Sequence, residues 1–127
     1  MGICVGVRDF RDLVAWQLAY ELRCEVFAVT ATGGAARDFK FRDQIRDASA
    51  SAPRNIAEGF GRFGPREFAR FLAIARASLI ETRHHLIDGR DRGYIDSAAA
   101  DRLSNLARAA IKATTGLMLT KLRQARA

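Results

Sequence analysis

Apolar residues recur at three- and four-residue spacing through four stretches of the chain, and no stretch shows the strict alternation of a strand. The first stretch predicts a helix from about Phe10 to about Val29, with Asp9 as its N-cap. Phe10, Leu13, Gln17, Tyr20, Cys24 and Phe27 line one face of it, and Val14, Leu18 and Leu22 make a second stripe beside that face. This is more apolar surface than a single core contact requires. Thr32-Gly33-Gly34 then breaks the chain.

A second helix is expected to start near Phe41 and to carry Ile45, Ala48, Ala52 and Ile56 on its inner face. Pro53 lies within it. Proline lacks an N–H and clashes with the carbonyl four residues back, so the helix is expected to kink or break there, with Ser49 and Ser51 covering the freed backbone groups. Gly59 and Gly61, both tolerant of positive φ, are expected to end it. Gly64-Pro65-Arg66-Glu67 starts a third helix, since proline at the first helical position loses only an N–H that would be free anyway. Its core stripe is Phe68, Phe71, Leu72, Ala75, Ser78, Leu79, Thr82, His85 and Leu86, and it ends over Arg90 to Gly93. Asp96 or Ser97 caps a fourth helix with Leu103, Leu106, Ala110, Ile111, Leu117, Met118 and Leu122 in helical register. Four helices joined by short loops predict an all-α, up-down-up-down four-helix bundle. It would be a single domain spanning residues 1–127, with its core over about 9–124. The surplus stripes predict burial against further copies of the chain.

Composition narrows the class. Hydrophobic residues make up 49% of 127, which suits one globular domain. The longest uncharged run, Val26 to Ala36, holds two glycines and is far shorter than the ~20 apolar residues of a membrane helix. The N-terminus lacks a signal-peptide pattern, and Gly6 stands where a myristoylation signal beginning Met1-Gly2 requires Ser or Thr. A cytoplasmic location is the expectation. Cys4 and Cys24 match no metal or redox spacing, and Cys24 is expected to be a small buried thiol.

Charge adds a partner class. The net charge is +7, and 18 of the 21 basic residues are arginine. Arginine donates to phosphate through a planar fork, so an anionic partner is one reading, and a GC-rich codon bias is the other. Arg54, Arg62, Arg66 and Arg70 are expected to cluster around the second loop and the start of the third helix. Arg76, Arg83 and Arg90 follow at seven-residue spacing along one flank, with little acidic compensation expected. Contacts made by such a surface would be salt-dependent and would position a nucleic acid without reading its bases.

Other chemistry finds less support. Glu81-x-x-His84 resembles half of a carboxylate-bridged di-metal bundle site, but such a site needs the motif twice, and the chain has five glutamates in all. His84 is expected in solvent. The Gly59-Phe60-Gly61-Arg62-Phe63-Gly64 run follows a helix and lacks the Lys-Ser/Thr of a phosphate loop. No nucleophile–base set stands out, so neither catalysis, a metal nor a cofactor is expected.

Ser51-x-Pro53-x-Asn55-Ile56-Ala57-Glu58-Gly59 is the most specific segment. Together with Gln44-Ile45-Arg46, Asp12-Leu13-x-x-Trp16-Gln17 and Glu67-Phe68-x-Arg70-Phe71-Leu72-x-Ile74-Ala75-Arg76-x-Ser78-Leu79-x-Glu81, it resembles the 23S rRNA intervening-sequence protein family. The pieces occur in family order over about Phe10 to Leu122. Ala52, Arg54, Ala77, Thr82-Arg83 and Arg42 depart from the usual pattern. The resemblance implies a four-helix bundle assembling as a homopentamer. It extends to the accessory variability determinant of diversity-generating retroelements, a basic pentamer that binds nucleic acid and a reverse transcriptase. It supplies no mechanism, because the family name records gene location. Ser51, Pro53, Asn55, Glu58 and Gly59 are expected to be architectural, with Asn55 and Glu58 satisfying backbone groups near the proline and the helix end, or with Glu58 pairing with an arginine of a neighbouring subunit. The expected function is a non-catalytic oligomeric scaffold holding RNA or DNA backbone through Arg54, Arg62, Arg66, Arg70, Arg76 and Arg83. The alternative is an adaptor docking an acidic protein such as a reverse transcriptase.

Overall fold

The first element among the described residues is a short turn that the sequence pattern merges into a helix. In the computed structural model, which describes residues 7–127, Asp9 caps a 3-10 turn over Phe10–Asp12. Its carboxylate accepts from the Arg11 N–H at 2.9 Å, and Asp12 returns the bond by accepting from the Asp9 N–H at 3.2 Å. Leu13 is extended, so α1 begins only afterwards and runs Val14–Val29. Met1, Gly2, Cys4 and Gly6 lie outside the described residues.

The inner face of α1 corrects the expectation. Ala15, Ala19, Leu22 and Val26 are buried, whereas Gln17, Tyr20 and Cys24 face solvent. Large apolar side chains mark the stripe that periodicity picks out, but alanine permits the closer helix approach and takes the core position. Cys24 is thus an exposed thiol.

A five-residue helix, α2 (Gly33–Arg37), fills the predicted break, with Gly33 at φ +71°. Asp38 then caps α3 (Phe39–Phe60), accepting from the Phe41 N–H at 3.1 Å. The helix passes through buried Pro53 without a break. The serine hydroxyls do not cover the Ser49 carbonyl that proline frees: Ser49 donates to the Arg46 carbonyl, and Ser51 pairs with Ser78 of the next helix. Nor does either predicted glycine adopt positive φ. Gly61 closes α3 at φ −80°, and Gly59 lies inside the helix. A Cβ on Gly59 would stand 2.8 Å from the Phe71 Cβ and 3.0 Å from Phe68 Cδ1, so Gly59 is there for close packing.

Gly64, at φ +84°, and Pro65 launch α4 (Pro65–Asp91). All the residues expected on its stripe are buried or half-buried. Gly93, at φ +76°, turns the chain, and Asp96 caps α5 (Ser97–Arg126) by accepting from the N–H groups of Ala98 and Ala99.

Cross-helix bonds give the topology. Arg76, Arg83 and Arg90 of α4 reach Thr115, Ser104 and Asp101 of α5 in descending order, so these helices are antiparallel. Ser51–Ser78 and the Gly59–Phe71 contact set α3 against α4 in the same sense. Arg46 to Phe27 and Thr30 joins α3 to α1, and Glu25–Arg102 joins α1 to α5. The four long helices therefore form a closed up-down-up-down ring around one core that includes Leu22, Ile45, Ile56, Leu72, Leu79, Leu86 and Leu103, all fully buried. The α3–α4 turn, the start of α1 and the end of α5 share one end of the bundle.

Candidate nucleic-acid interface

The α3–α4 turn is short and held from both sides. The N–H groups of Gly61 and Arg62 donate to the Ala57 and Gly59 carbonyls at 3.2 and 3.1 Å, and Gly64-Pro65 starts α4 at once. The turn pushes Phe63 fully into solvent, at 100% exposure. Arg62 beside it binds Glu58 at 2.8 Å, and Arg70 binds Glu67 at 3.0 Å. Both guanidiniums also lie over the Phe71 ring, 4.9 and 4.5 Å from its centroid. The hydrogen bond from Arg70 holds the Glu67 carboxyl below its ordinary pKa and raises that of Arg70 in return. Arg66 is exposed and has no carboxylate partner among the described residues. From α5, Lys121 places its ammonium 5.3 Å from the centre of the Phe68 ring. Lys121 and Gln124 close the far side of a cleft of about 260 Å³ whose near side is Arg62, Gly64 and Pro65.

Not all six predicted arginines join this end. Arg62, Arg66 and Arg70 do. Arg54 is exposed on α3 six residues before the helix ends, and Arg76 and Arg83 sit half-buried in the α4–α5 seam, donating to Thr115 at 3.0 Å and Ser104 at 3.2 Å. Acidic compensation is also greater than expected, because Glu58 and Glu67 sit one turn from Arg62 and Arg70, and Arg90 is flanked by Asp91 and Asp101. Exposed pairs of this kind are screened by solvent and hold Arg62 and Arg70 only weakly.

Periodicity missed the contribution of α5. From Arg102 to the C-terminus the chain contains Arg102, Arg108, Lys112, Lys121, Arg123 and Arg126 and no Asp or Glu. Arg102 is paired with Glu25 at 3.2 Å. The signal was a compositional one, an acid-free final fifth of the chain, and it places more positive charge at the end that carries the α3–α4 turn.

The architectural motif is resolved in detail. The Asn55 side chain donates to the Ser51 carbonyl at 2.8 Å and to the Ser51 hydroxyl at 3.0 Å, and that hydroxyl lies 2.9 Å from the Ser78 hydroxyl. Asn55 and Ser51 thus join α3 to α4 two residues either side of Pro53. Among the described residues Glu58 bonds no backbone group and pairs instead with Arg62. His84 is exposed, and Glu81 contacts His85, at 3.1 Å, instead of His84. Among the described residues no three His, Cys, Asp or Glu side chains group as metal ligands do, and no helix is long and apolar enough to cross a membrane.

These features define an antiparallel four-helix bundle with an arginine-rich end. The family model of the 23S rRNA-intervening sequence protein matches residues 11–116, and the chain belongs to that family. None of the curated proteins matches it.

Proposed function

We propose that the protein is a non-catalytic, cytoplasmic homo-oligomeric scaffold that holds nucleic-acid backbone at the arginine-rich end of its bundle. The observation that carries this reading is the convergence of Arg62, Arg66 and Arg70 with the acid-free end of α5. Arg62 and Arg70 are pre-oriented by Phe71 and by exposed carboxylates that bind them weakly, and Arg66 has no competitor. Guanidiniums presented in this way suit phosphate oxygens. Self-assembly is favoured by exposed apolar side chains on three helices, Val14 (60% exposed) and Tyr20 of α1, Ile74 and Ile80 of α4, and Leu119 and Leu122 of α5. Five is the subunit number that the family resemblance implies.

The test is titration of labelled mixed-sequence RNA and duplex DNA at about 50 and 200 mM salt, with absolute mass measured alongside. The expected result is an oligomer whose affinity falls on the order of a hundredfold or more between the two salts, and a log–log slope lowered by about one in Arg66→Ala. An intact oligomer that binds neither probe overturns the reading in favour of an adaptor for an acidic protein.

A further inference from the structure

We propose that Phe63 is a stacking platform for an unpaired nucleobase, which makes the preferred ligand of this end single-stranded. The inference rests on the nucleic-acid reading above and adds to it the class of strand.

Phe63 makes no contribution to the core, since its side chain is wholly in solvent. An isolated exposed apolar residue on a helix face is ordinary. Phe63 differs in position and in rigidity. It stands at the apex of a turn only four residues long between two long helices. That turn is fixed by bonds back to α3, by the left-handed Gly64 and by Pro65. The ring is therefore presented with little backbone freedom left to lose on binding. Arg62 precedes it and Arg66 follows three residues later, so a cation lies on each side of the aromatic ring in sequence. Lys121 adds a third across the adjoining cleft.

An aromatic face among cations that track a phosphate chain is the combination that sequence-tolerant single-strand binding uses, because every base has a π-face. A duplex can use the ring only by unstacking a base step, whereas an unpaired base is already free to stack on it. Phosphate contacts alone would bind strand and duplex alike, so the projecting ring is the feature that separates them. The guanidiniums of Arg62 and Arg70 are occupied on one face by Phe71, which leaves them to act on phosphate.

The experiment compares the full-length protein with Phe63→Ala, Phe63→Trp and Arg66→Ala. The probes are a labelled single strand of about 15 nucleotides and a duplex of equal length, at two salt concentrations. Phe63→Ala is expected to weaken single-strand binding about tenfold at both salts, leaving the salt slope and duplex binding unchanged. Phe63→Trp keeps single-strand binding at least at the wild-type level, and Arg66→Ala lowers the slope on both probes. Unaltered single-strand binding by Phe63→Ala, while the wild type still binds with a steep salt slope, overturns the stacking proposal and leaves the backbone reading in place. A wild type that binds neither probe overturns both. A drop in oligomeric mass in Phe63→Ala also overturns the proposal, by assigning the ring to a subunit contact.

Discussion

Thr114 is the residue whose environment is least satisfied. Its hydroxyl oxygen is buried without a hydrogen-bond partner among the described residues, whereas the other fully buried hydroxyls, of Thr30, Ser49 and Thr82, donate to carbonyls three or four residues back. A buried hydroxyl left unpaired costs ~1–3 kcal/mol. Thr114→Val keeps the shape and removes the orphan, so it should raise unfolding free energy by about 1 kcal/mol. The check is a shift in denaturant midpoint at constant m-value. A fall in stability would show that the hydroxyl is bonded in solution. Arg46 is the opposite case. It donates to the Thr30 hydroxyl at 2.8 Å and to the Phe27 carbonyl at 3.2 Å, and its guanidinium lies over the Phe27 ring. It therefore closes the C-terminal end of α1 from α3. This role was not legible in Gln44-Ile45-Arg46, because both acceptors are sixteen or more residues away in sequence. The role of Asn55 was nearly legible, since Ser51 is one turn before it, but the link onward to Ser78 was not.

At the scale of elements, Asp38 joins the start of α3 to the α4–α5 loop. Its carboxylate accepts from the Phe41 N–H, from the Tyr94 hydroxyl at 2.8 Å and from Arg92 at 3.3 Å. The Phe41 N–H, then the Tyr94 hydroxyl, hold its pKa below the ordinary aspartate value. A carboxyl whose pKa is lower folded than unfolded stabilises the fold above the unfolded value of about 3.9 and loses that contribution as pH falls through the folded value. Thermal midpoints should therefore be flat with respect to this group at neutral pH and decline below about pH 4. Asp38→Asn should show a shallower acid decline and a lower midpoint at pH 7. Equal slopes for the two proteins would exclude Asp38 as a contributor. Helix ends were readable where chemistry is local: Asp96 caps and Gly64-Pro65 starts as their residue types demand. The inner face of α1 was not, because two stripes of large residues outweigh Ala15 and Ala19 in any periodicity count. Helix packing reverses that weighting, since the backbone that approaches most closely needs the smallest side chains.

For the molecule as a whole, four amphipathic stretches and short connections were enough to foresee the ring of antiparallel helices. The candidate site was legible in part. Arg62, Arg66 and Arg70 are close in sequence and stay close in space, whereas Arg76 and Arg83 depend on which flank meets α5, and Lys121 enters only when the chain returns to the same end. The ring is also uneven. At 1.5 Å per residue, α5 is ~45 Å long and α1 only ~24 Å. The groove between them brings Leu13 and Val14 against Gly116 and Thr120, so the last turns of α5 extend past the start of α1. Helical ends with few packed neighbours open most easily. Backbone amides of residues 123–126, beyond Leu119 and Leu122, should therefore exchange with deuterium ahead of those in the middle of α5, and a bound strand gripping Lys121 should slow them. Uniform protection along α5 in the free protein would mean that another subunit already covers its end.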